Sequence, residues 1–164
     1  MSINCKKIQI CFKQWSGFAS ALTTLTAVIG LIIGLWQVNG IRENQRWQNY
    51  NELNARYHEL YKGLPSDIEN KTSFEKLQPE SKRWIRRYYY LYSEEYWLYK
   101  NDLIPKEMWT ERISNGVEVN LRTYPTLIDG YHYWRAQGDY THPKDFDNEI
   151  NSVFRKLKCL NNSN

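Results

Sequence analysis

The longest uncharged stretch of this chain lies near its N-terminus and limits what the chain can fold into. No charged residue occurs between Lys13 and Arg42, and residues 18–38 read FASALTTLTAVIGLIIGLWQV. At about 1.5 Å per residue, a helix of about twenty such residues spans the roughly 30 Å hydrocarbon core of a bilayer. We therefore expect a transmembrane helix over residues 16–38.

Two tryptophans that flank the stretch favour the same interpretation. Trp15 and Trp36 would lie about 31 Å apart along a helix, and indole rings prefer the headgroup region at both membrane surfaces. A buried core helix rarely runs this long without a charge, and a cleavable signal peptide has a shorter apolar region before a small-residue cleavage site. The sequence therefore predicts an uncleaved, single-pass anchor whose immediate partner is the lipid bilayer.

The charges that flank the anchor do not decide its orientation, because three basic residues lie near each end. They are Lys6, Lys7 and Lys13 before the anchor, and Arg42, Arg46 and Arg56 after it. The single cysteine of the following domain, Cys159, slightly favours a reducing cytoplasmic location, whereas the N-terminal lysines favour the opposite side. We expect a cytoplasmic domain.

Small residues recur every four positions inside the anchor, at Thr26, Gly30 and Gly34. Such a face lets two helix backbones approach closely, which predicts a homodimer through the membrane helix. The alternative is coincidence, because glycine is common in membrane helices.

The rest of the chain is divided by five prolines into segments with helical periodicity and shows no strand-like alternation. The expected helices cover residues 41–62, 79–101, 105–121, 125–137 and 143–158, with a short one near 67–77. The sequence thus predicts an all-α protein in which an N-terminal transmembrane helix precedes a compact bundle of about five helices. The expected parts are a basic tail (1–15), the transmembrane helix (16–38), a juxtamembrane helix (39–63) and the bundle (64–160).

The segment 79–101 is apolar on two faces, which is typical of a central helix. Residue Trp97 falls on its polar side, so we expect Trp97 to be less buried than Trp84 or Tyr88 and to be a candidate partner contact. The last helix has one apolar face, formed by Phe146, Ile150, Val153, Phe154 and Leu157. The juxtamembrane stripe is formed by Trp47, Tyr50, Asn54, Tyr57 and Tyr61. It could be a coiled-coil seam or a face packed on its own domain, and the sequence favours the second.

Glu95 lies in line with the apolar residues of the central helix and is therefore expected to be buried. A buried carboxylate must be paired or must keep its proton. The candidate buried polar partners are Arg112, Arg122, His132 and Arg135. We expect an internal ion pair, and the alternative is a carboxyl tuned for catalysis or ligand binding.

The sequence contains no catalytic motif, and no catalytic residue, cofactor or metal ligand is predicted. The histidines His58, His132 and His142 lack metal-ligand spacing. A basic face that could contact anionic lipid headgroups is formed by Lys82, Arg83, Arg86 and Arg87, although a simply solvated face is the plainer interpretation. Residues after position 38 carry 19 basic and 18 acidic side chains, and this balance argues against nucleic acid as a partner.

Two segments of the central region, LYSEEYWL at 91–98 and LIPKEMW at 103–109, carry a resemblance to known proteins. Together with Gly116, Trp134 and Phe146, they resemble small bacterial and prophage-borne single-pass membrane proteins with an uncharacterised helical domain. The resemblance covers roughly residues 84–155. It implies the architecture already predicted, a bacterial inner-membrane location and a role in conflict between host and phage, but no activity.

The sequence therefore predicts a membrane-anchored, non-enzymatic interaction or sensor module that binds an unidentified protein partner. One alternative is a membrane-perturbing effector that self-associates through Thr26, Gly30 and Gly34. Another is an enzyme that uses Glu95 in an aromatic pocket.

Overall fold

The computed structural model describes residues 5–141 and 143–161, with side chains described for residues 22–141 and 143–159. Every regular element among these residues is helical, which confirms the all-α prediction. The chain divides into two compact units, Met1–Asn44 and Gln45–Asn164.

The first helix, α1, runs from Cys5 to Lys62 and thus contributes to both units. It begins before the predicted anchor and continues through Asn39 and Gly40 without a break. Its apolar part is long and apolar enough to cross a membrane, and none of that part is buried. Trp36 is 76% exposed, whereas the side chain of Trp15 lies outside the described residues.

The second unit contains the end of α1 and a series of shorter helices. They are α2 (Ser66–Glu69), a 3-10 turn (Phe74–Lys76), α3 (Pro79–Lys100), α4 (Lys106–Met108), a π-helical turn (Trp109–Ile113), α5 (Ser114–Thr123), α6 (Thr126–Ala136) and α7 (Phe146–Asn161). Prolines mark the beginnings: Pro79 is the first residue of α3, and Pro65, Pro105 and Pro125 immediately precede α2, α4 and α6. A proline tolerates these positions because no helical hydrogen bond is needed from its nitrogen there.

Helix α3 is central, as its two apolar faces predict. Trp84, Ile85, Tyr88, Tyr89 and Tyr92 are each at most 2% exposed. Helix α7 closes the core with its single apolar face, whose five residues are all buried. A core shared by several helices therefore forms around α3.

Helix α6 approaches α3 closely at a glycine. A Cβ atom on Gly130 would lie 2.6 Å from Cγ2 of Ile85, which is closer than packed atoms tolerate. The absence of a side chain at Gly130 is therefore what lets these two helices pack at this distance.

Residues 45–62 of α1 pack against the bundle of their own unit, as the sequence favours over a coiled-coil seam. Leu53 is only 2% exposed, and Tyr50, Tyr57 and Tyr61 are half-buried against the core. Trp47 is 41% exposed. The buried stripe therefore runs through Leu53 rather than through the predicted Asn54, which is exposed.

The loop after α3 is held by α1. The Nε of Arg46 donates a hydrogen bond of 2.9 Å to the carbonyl of Asp102, and the guanidinium also pairs with the Asp102 carboxylate. The amide of Asn49 donates a hydrogen bond of 2.9 Å to the carbonyl of Leu103. These contacts hold the loop after α3 against α1.

Candidate binding cavity around Glu95

A cavity of about 110 Å³ lies between three helical segments of the second unit. Its lining comes from α1 (Tyr50, Leu53, Asn54, Tyr57), α3 (Tyr88, Leu91, Tyr92, Glu95) and the π-helical turn with α5 (Arg112, Ile113, Gly116, Val117). Asn54 and Arg112 are exposed, so the cavity reaches solvent at these residues. Four tyrosine rings and one carboxyl group thus share a small space that is accessible from outside.

The side chain of Glu95 is largely buried beside the cavity, and the described residues offer its carboxyl group no partner. The residue is 6% exposed, and it forms no hydrogen bond or ion pair within the part of the chain that the structure describes. Burial raises the pKa of this carboxyl to about 8, the charge of Glu94 adds to the effect, and Arg56 opposes it. Glu95 therefore holds its proton at neutral pH.

The nearby cation, Arg56, is engaged elsewhere. Its two terminal nitrogens each donate a hydrogen bond of 2.7 Å to the carboxylate of Glu94. This bidentate pair, in which both side chains are exposed, raises the pKa of Arg56 chiefly through the hydrogen bond. Of two adjacent carboxyl groups, the exposed one is thus paired and the buried one is left alone.

The predicted ion pair of Glu95 is therefore wrong. Arg122 is exposed and pairs with Glu118 at 2.9 Å, one turn away on the same helix. Arg135 is only half-buried and binds the Asp147 carboxylate with hydrogen bonds of 2.8 and 2.9 Å from its Nε.

The other two proposed partners are not buried either. His132 is exposed, and its ring lies 5.5 Å from that of Phe154. Arg112 is exposed and lines the cavity without pairing with Glu95. Long cationic side chains find carboxylates near the surface, where the desolvation cost of forming a pair is small.

Asn120 connects the tyrosines around the cavity, and the sequence interpretation missed it. Its side-chain amide donates to the hydroxyl of Tyr57 at 3.0 Å and to that of Tyr88 at 3.2 Å, and its carbonyl accepts from Tyr61 at 3.5 Å. The residue is 6% exposed. A polar residue three positions after Val117, on the apolar face of α5, is the signal that could have identified it.

The tyrosines and Glu95 influence one another. Burial raises the pKa of Tyr57 and of Tyr88, and the nearby charge of Glu95 adds to both effects. These phenols therefore remain neutral over the physiological range and can offer ring faces and hydroxyl groups, but no negative charge, to a ligand.

The π-helical turn places the third wall. Within it, Trp109 is 4% exposed and lies between Tyr92 and Tyr99, with ring centroids at 5.5 and 4.9 Å and nearly parallel planes. Later residues of the same turn, Arg112 and Ile113, line the cavity. Insertions of this kind are frequent at functional sites.

Most side chains of the basic face of α3 form contacts with other residues of the same chain. Lys82 lies 5.0 Å from the centre of the Phe74 ring, Arg83 pairs with Glu80, and Arg86 binds Asp139 with hydrogen bonds of 2.6 and 2.8 Å. Arg87 is exposed beside a shallow groove. Contact with lipid headgroups stays a prediction.

The remaining predicted site residues lie away from the cavity. Trp97 is 46% exposed, whereas Trp84 and Tyr88 are each 2% exposed, which confirms the predicted order of burial. A Cβ atom added to Gly30 or Gly34 would meet nothing within 4 Å. His142 lies outside the described residues, among which no cluster of histidine, cysteine or acidic residues could hold a metal ion.

Comparison of the chain with protein-family models, with curated proteins and with solved structures found no match. The resemblance to prophage-borne membrane proteins therefore stays a prediction.

Proposed function

We propose that the protein is a membrane-anchored binding module, in which part of α1 crosses a bilayer and the bundle of the second unit binds a partner or ligand. The observation that carries the proposal is the exposure of the apolar helix. The large apolar residues from Leu22 to Ile41 are each between 48% and 76% exposed. Apolar surface of this extent is costly in water and favourable in hydrocarbon.

The backbone and polar side chains of the segment suit a bilayer as well. A helix satisfies its own backbone hydrogen bonds, which is what hydrocarbon requires. The hydroxyl of Thr26 donates a hydrogen bond of 2.9 Å to the carbonyl of Leu22. The Thr26 hydroxyl is thus satisfied inside the helix.

The composition of the cavity supports binding rather than catalysis. Acid–base and nucleophilic mechanisms usually need two groups within hydrogen-bond reach of each other. The described lining contains a single acid, Glu95, and no histidine. Four tyrosines beside one carboxyl group provide instead a surface for holding a ligand.

The anchor is tested by alkaline carbonate extraction of membranes from cells that express the full chain. We expect the wild-type chain to stay in the membrane pellet. Ile29→Arg combined with Ile33→Arg should move it to the soluble fraction, because each arginine near the centre of a span costs about 2.5–3.5 kcal/mol of insertion free energy.

The matched control is Val119→Arg combined with Thr123→Arg, which adds the same two charges at exposed positions one turn apart on α5. This variant should remain in the pellet. A wild-type chain that is extracted by carbonate, or an Ile29 and Ile33 double variant that stays in the pellet, would contradict the proposal.

The resemblance stated above supports a bacterial inner membrane and a host–phage conflict role. The single cysteine of the domain, Cys159, favours a bundle on the cytoplasmic side. A reporter pair fused after Asn164, one active only in the cytoplasm and one only in the periplasm, tests the side. Cytoplasmic reporter activity is expected, and periplasmic activity would reverse the orientation.

A further inference from the structure

The carboxyl group of Glu95 has no partner among the described residues, and it lies at the wall of a cavity that opens to solvent. Burying such a group without a hydrogen-bond partner costs free energy. The nearby guanidinium group, that of Arg56, binds the adjacent carboxylate of Glu94 instead. The carboxyl group of Glu95 is therefore available to a ligand that enters the cavity.

We propose that the cavity binds a small organic ammonium ion, whose positive charge lies against the Glu95 carboxylate and the rings of Tyr57, Tyr88 and Tyr92. This inference deepens the proposed binding role of the bundle and rests on it. It concerns residues of the second unit alone.

The chemistry of the lining selects a cation. A carboxylate attracts positive charge directly, and aromatic rings attract it through their quadrupoles, which is how aromatic cages hold methylated ammonium groups. An anion would be repelled by the ionised form of Glu95, and a neutral ligand would leave the carboxyl group in its protonated form. Aromatic rings and a single acid together therefore favour an ammonium group.

The rings around the cavity are held in position before a ligand arrives. Tyr88 stacks on Trp84 with centroids 5.7 Å apart, and Tyr92 stacks on Trp109 at 5.5 Å. Asn120 fixes the hydroxyls of Tyr57 and Tyr88. A preformed site loses less conformational entropy on binding.

The size and charge of the cavity limit the ligand further. About 110 Å³ is several times the roughly 10–15 Å³ that one water needs, which leaves room for an ammonium group with a few carbon atoms. A second positive charge on the ligand would meet Arg112, which lines the cavity where it reaches solvent. The expected ligand is therefore a small monocation or a zwitterion.

Binding of a cation should release the proton of Glu95, because burial holds the pKa of this carboxyl at about 8. The other charged or titratable groups that surround it are Glu94 on α3, Arg56 on α1, Arg112 on the π-helical turn, and the tyrosines Tyr50, Tyr57, Tyr88 and Tyr92. Below the pKa, only the deprotonated fraction of Glu95 is competent, so the apparent affinity falls with that fraction.

The test measures binding of choline to the full chain, purified in an uncharged maltoside detergent, by saturation-transfer NMR and calorimetry. The neutral isostere 3,3-dimethylbutan-1-ol is the matched probe. We expect choline to bind at least about tenfold more tightly than the alcohol at pH 9, and its affinity to fall at least about tenfold at pH 6.

Monomeric dihexanoyl phosphatidylcholine distinguishes two sources of the same chemistry. Its competition with choline would indicate a lipid headgroup, and its failure to compete would indicate a free ammonium ion.

Three variants distinguish the contribution of the Glu95 carboxyl group to binding from that of other charges and of cavity volume. Glu95→Gln should lose choline binding by at least about tenfold, whereas Glu80→Gln removes an exposed carboxylate near the start of the same helix and should leave binding unchanged. Gly116→Leu should also abolish binding, because it fills the cavity without changing its charge. Circular dichroism of each variant verifies the fold, and the Gly116 variant keeps the test decisive if Glu95→Gln does not fold.

Absence of choline binding to the wild-type chain, equal binding of the neutral alcohol, or full binding by the Glu95→Gln or the Gly116→Leu variant would each overturn the proposal. These measurements are made in detergent and do not depend on membrane insertion. A negative result would therefore leave the carbonate extraction result standing, and failure of the anchor would leave the choline result standing.

Discussion

At the scale of single residues, the two tryptophans of α3 occupy opposite environments. Trp84 is 2% exposed, stacks on Tyr88, and donates a hydrogen bond of 2.9 Å from its indole nitrogen to the carbonyl of Leu60. Trp97 is 46% exposed on the other side of the same helix. The same residue type is thus a core residue in one place and a surface residue in the other.

Replacing each tryptophan by alanine should give unequal losses of stability. Trp84→Ala should lower the free energy of unfolding by about 3–5 kcal/mol, because it leaves a cavity and removes one hydrogen bond to the Leu60 carbonyl. Trp97→Ala should cost much less. Urea denaturation of the two variants measures the difference, and equal losses would contradict the assignment of the helix faces.

Trp97 is also the candidate for partner contact, since large exposed aromatic side chains are enriched at interfaces. Pull-down from a detergent extract with the Trp97→Ala chain as bait tests this role, and we expect weakened capture of a partner that the wild-type chain retains. Full capture by this variant would remove Trp97 from the interface and leave the fold assignment intact.

Glu95 should make the stability of the protein fall as the pH rises. The pKa of its carboxyl is about 8 in the folded protein and near the ordinary value of 4.5 in the unfolded chain. Between these values the folded protein keeps a proton that the unfolded chain has released, so raising the pH favours unfolding. At about 1.36 kcal/mol per pH unit, the full loss is roughly 4–5 kcal/mol.

The prediction is that Glu95→Gln removes this dependence. The free energy of unfolding of the variant relative to wild type should increase from pH 5 to pH 9, as measured by urea denaturation. Glu80→Gln, at an exposed carboxylate that pairs with Arg83 on the same helix, is the control and should keep the wild-type slope. A wild-type stability that rises over this range more than that of Glu95→Gln would show that the sign is wrong.

The burial of Glu95 could be predicted from the sequence, but its lack of a partner could not. Burial follows from helical spacing alone, because Glu95 lies seven positions after Tyr88 and four after Leu91. Pairing depends instead on which carboxylates lie nearest to each arginine in three dimensions. Arg135 lies next to Asp147 of another helix, and no local pattern encodes that distance.

At the scale of elements, the proline rule placed the helix beginnings well because its cause is local. A proline restricts its own backbone and that of the residue before it, wherever the chain folds. The ends of helices are also local: Gly138 adopts a φ of 93° after α6, as its position in the sequence predicts. Asp102 takes the same role after α3 with a φ of 59°, although it is not glycine.

The π-helical turn at Trp109–Ile113 was not predictable in the same way. Its Trp109 packs between Tyr92 and Tyr99 of α3, so the turn depends on contacts with a different helix. Helix α1, in contrast, runs through Gly40 without a break, since a single glycine costs a helix only about 1 kcal/mol.

Helix α1 carries a further prediction on its small-residue face. If Thr26, Gly30 and Gly34 pair two copies of the helix in a membrane, Gly30→Leu with Gly34→Leu should abolish self-association by blocking the close approach of the backbones. Crosslinking in membranes measures it, with Leu31→Ile as a control of similar volume beside the face. Unchanged crosslinking in the double variant would exclude this face as a dimer contact.

At the scale of the whole molecule, the chain divides into a unit that exposes its apolar residues and a unit that buries them. In Met1–Asn44 the described large apolar side chains are exposed, whereas Gln45–Asn164 has its own core around α3. The sequence predicts this division correctly in kind, because an uncharged run and an amphipathic pattern are different signals. The boundary lies inside α1, where no break in the helix marks it.

The stack of Trp109 between Tyr92 and Tyr99 also makes the protein its own optical probe. Three nearly parallel chromophores fixed in an asymmetric surrounding should give strong near-ultraviolet ellipticity that vanishes when the rings become free to rotate. Tyr92 both belongs to this stack and lines the cavity. Occupation of the cavity should therefore change the near-ultraviolet ellipticity of the protein, which can be followed without attaching a dye to any part of the chain.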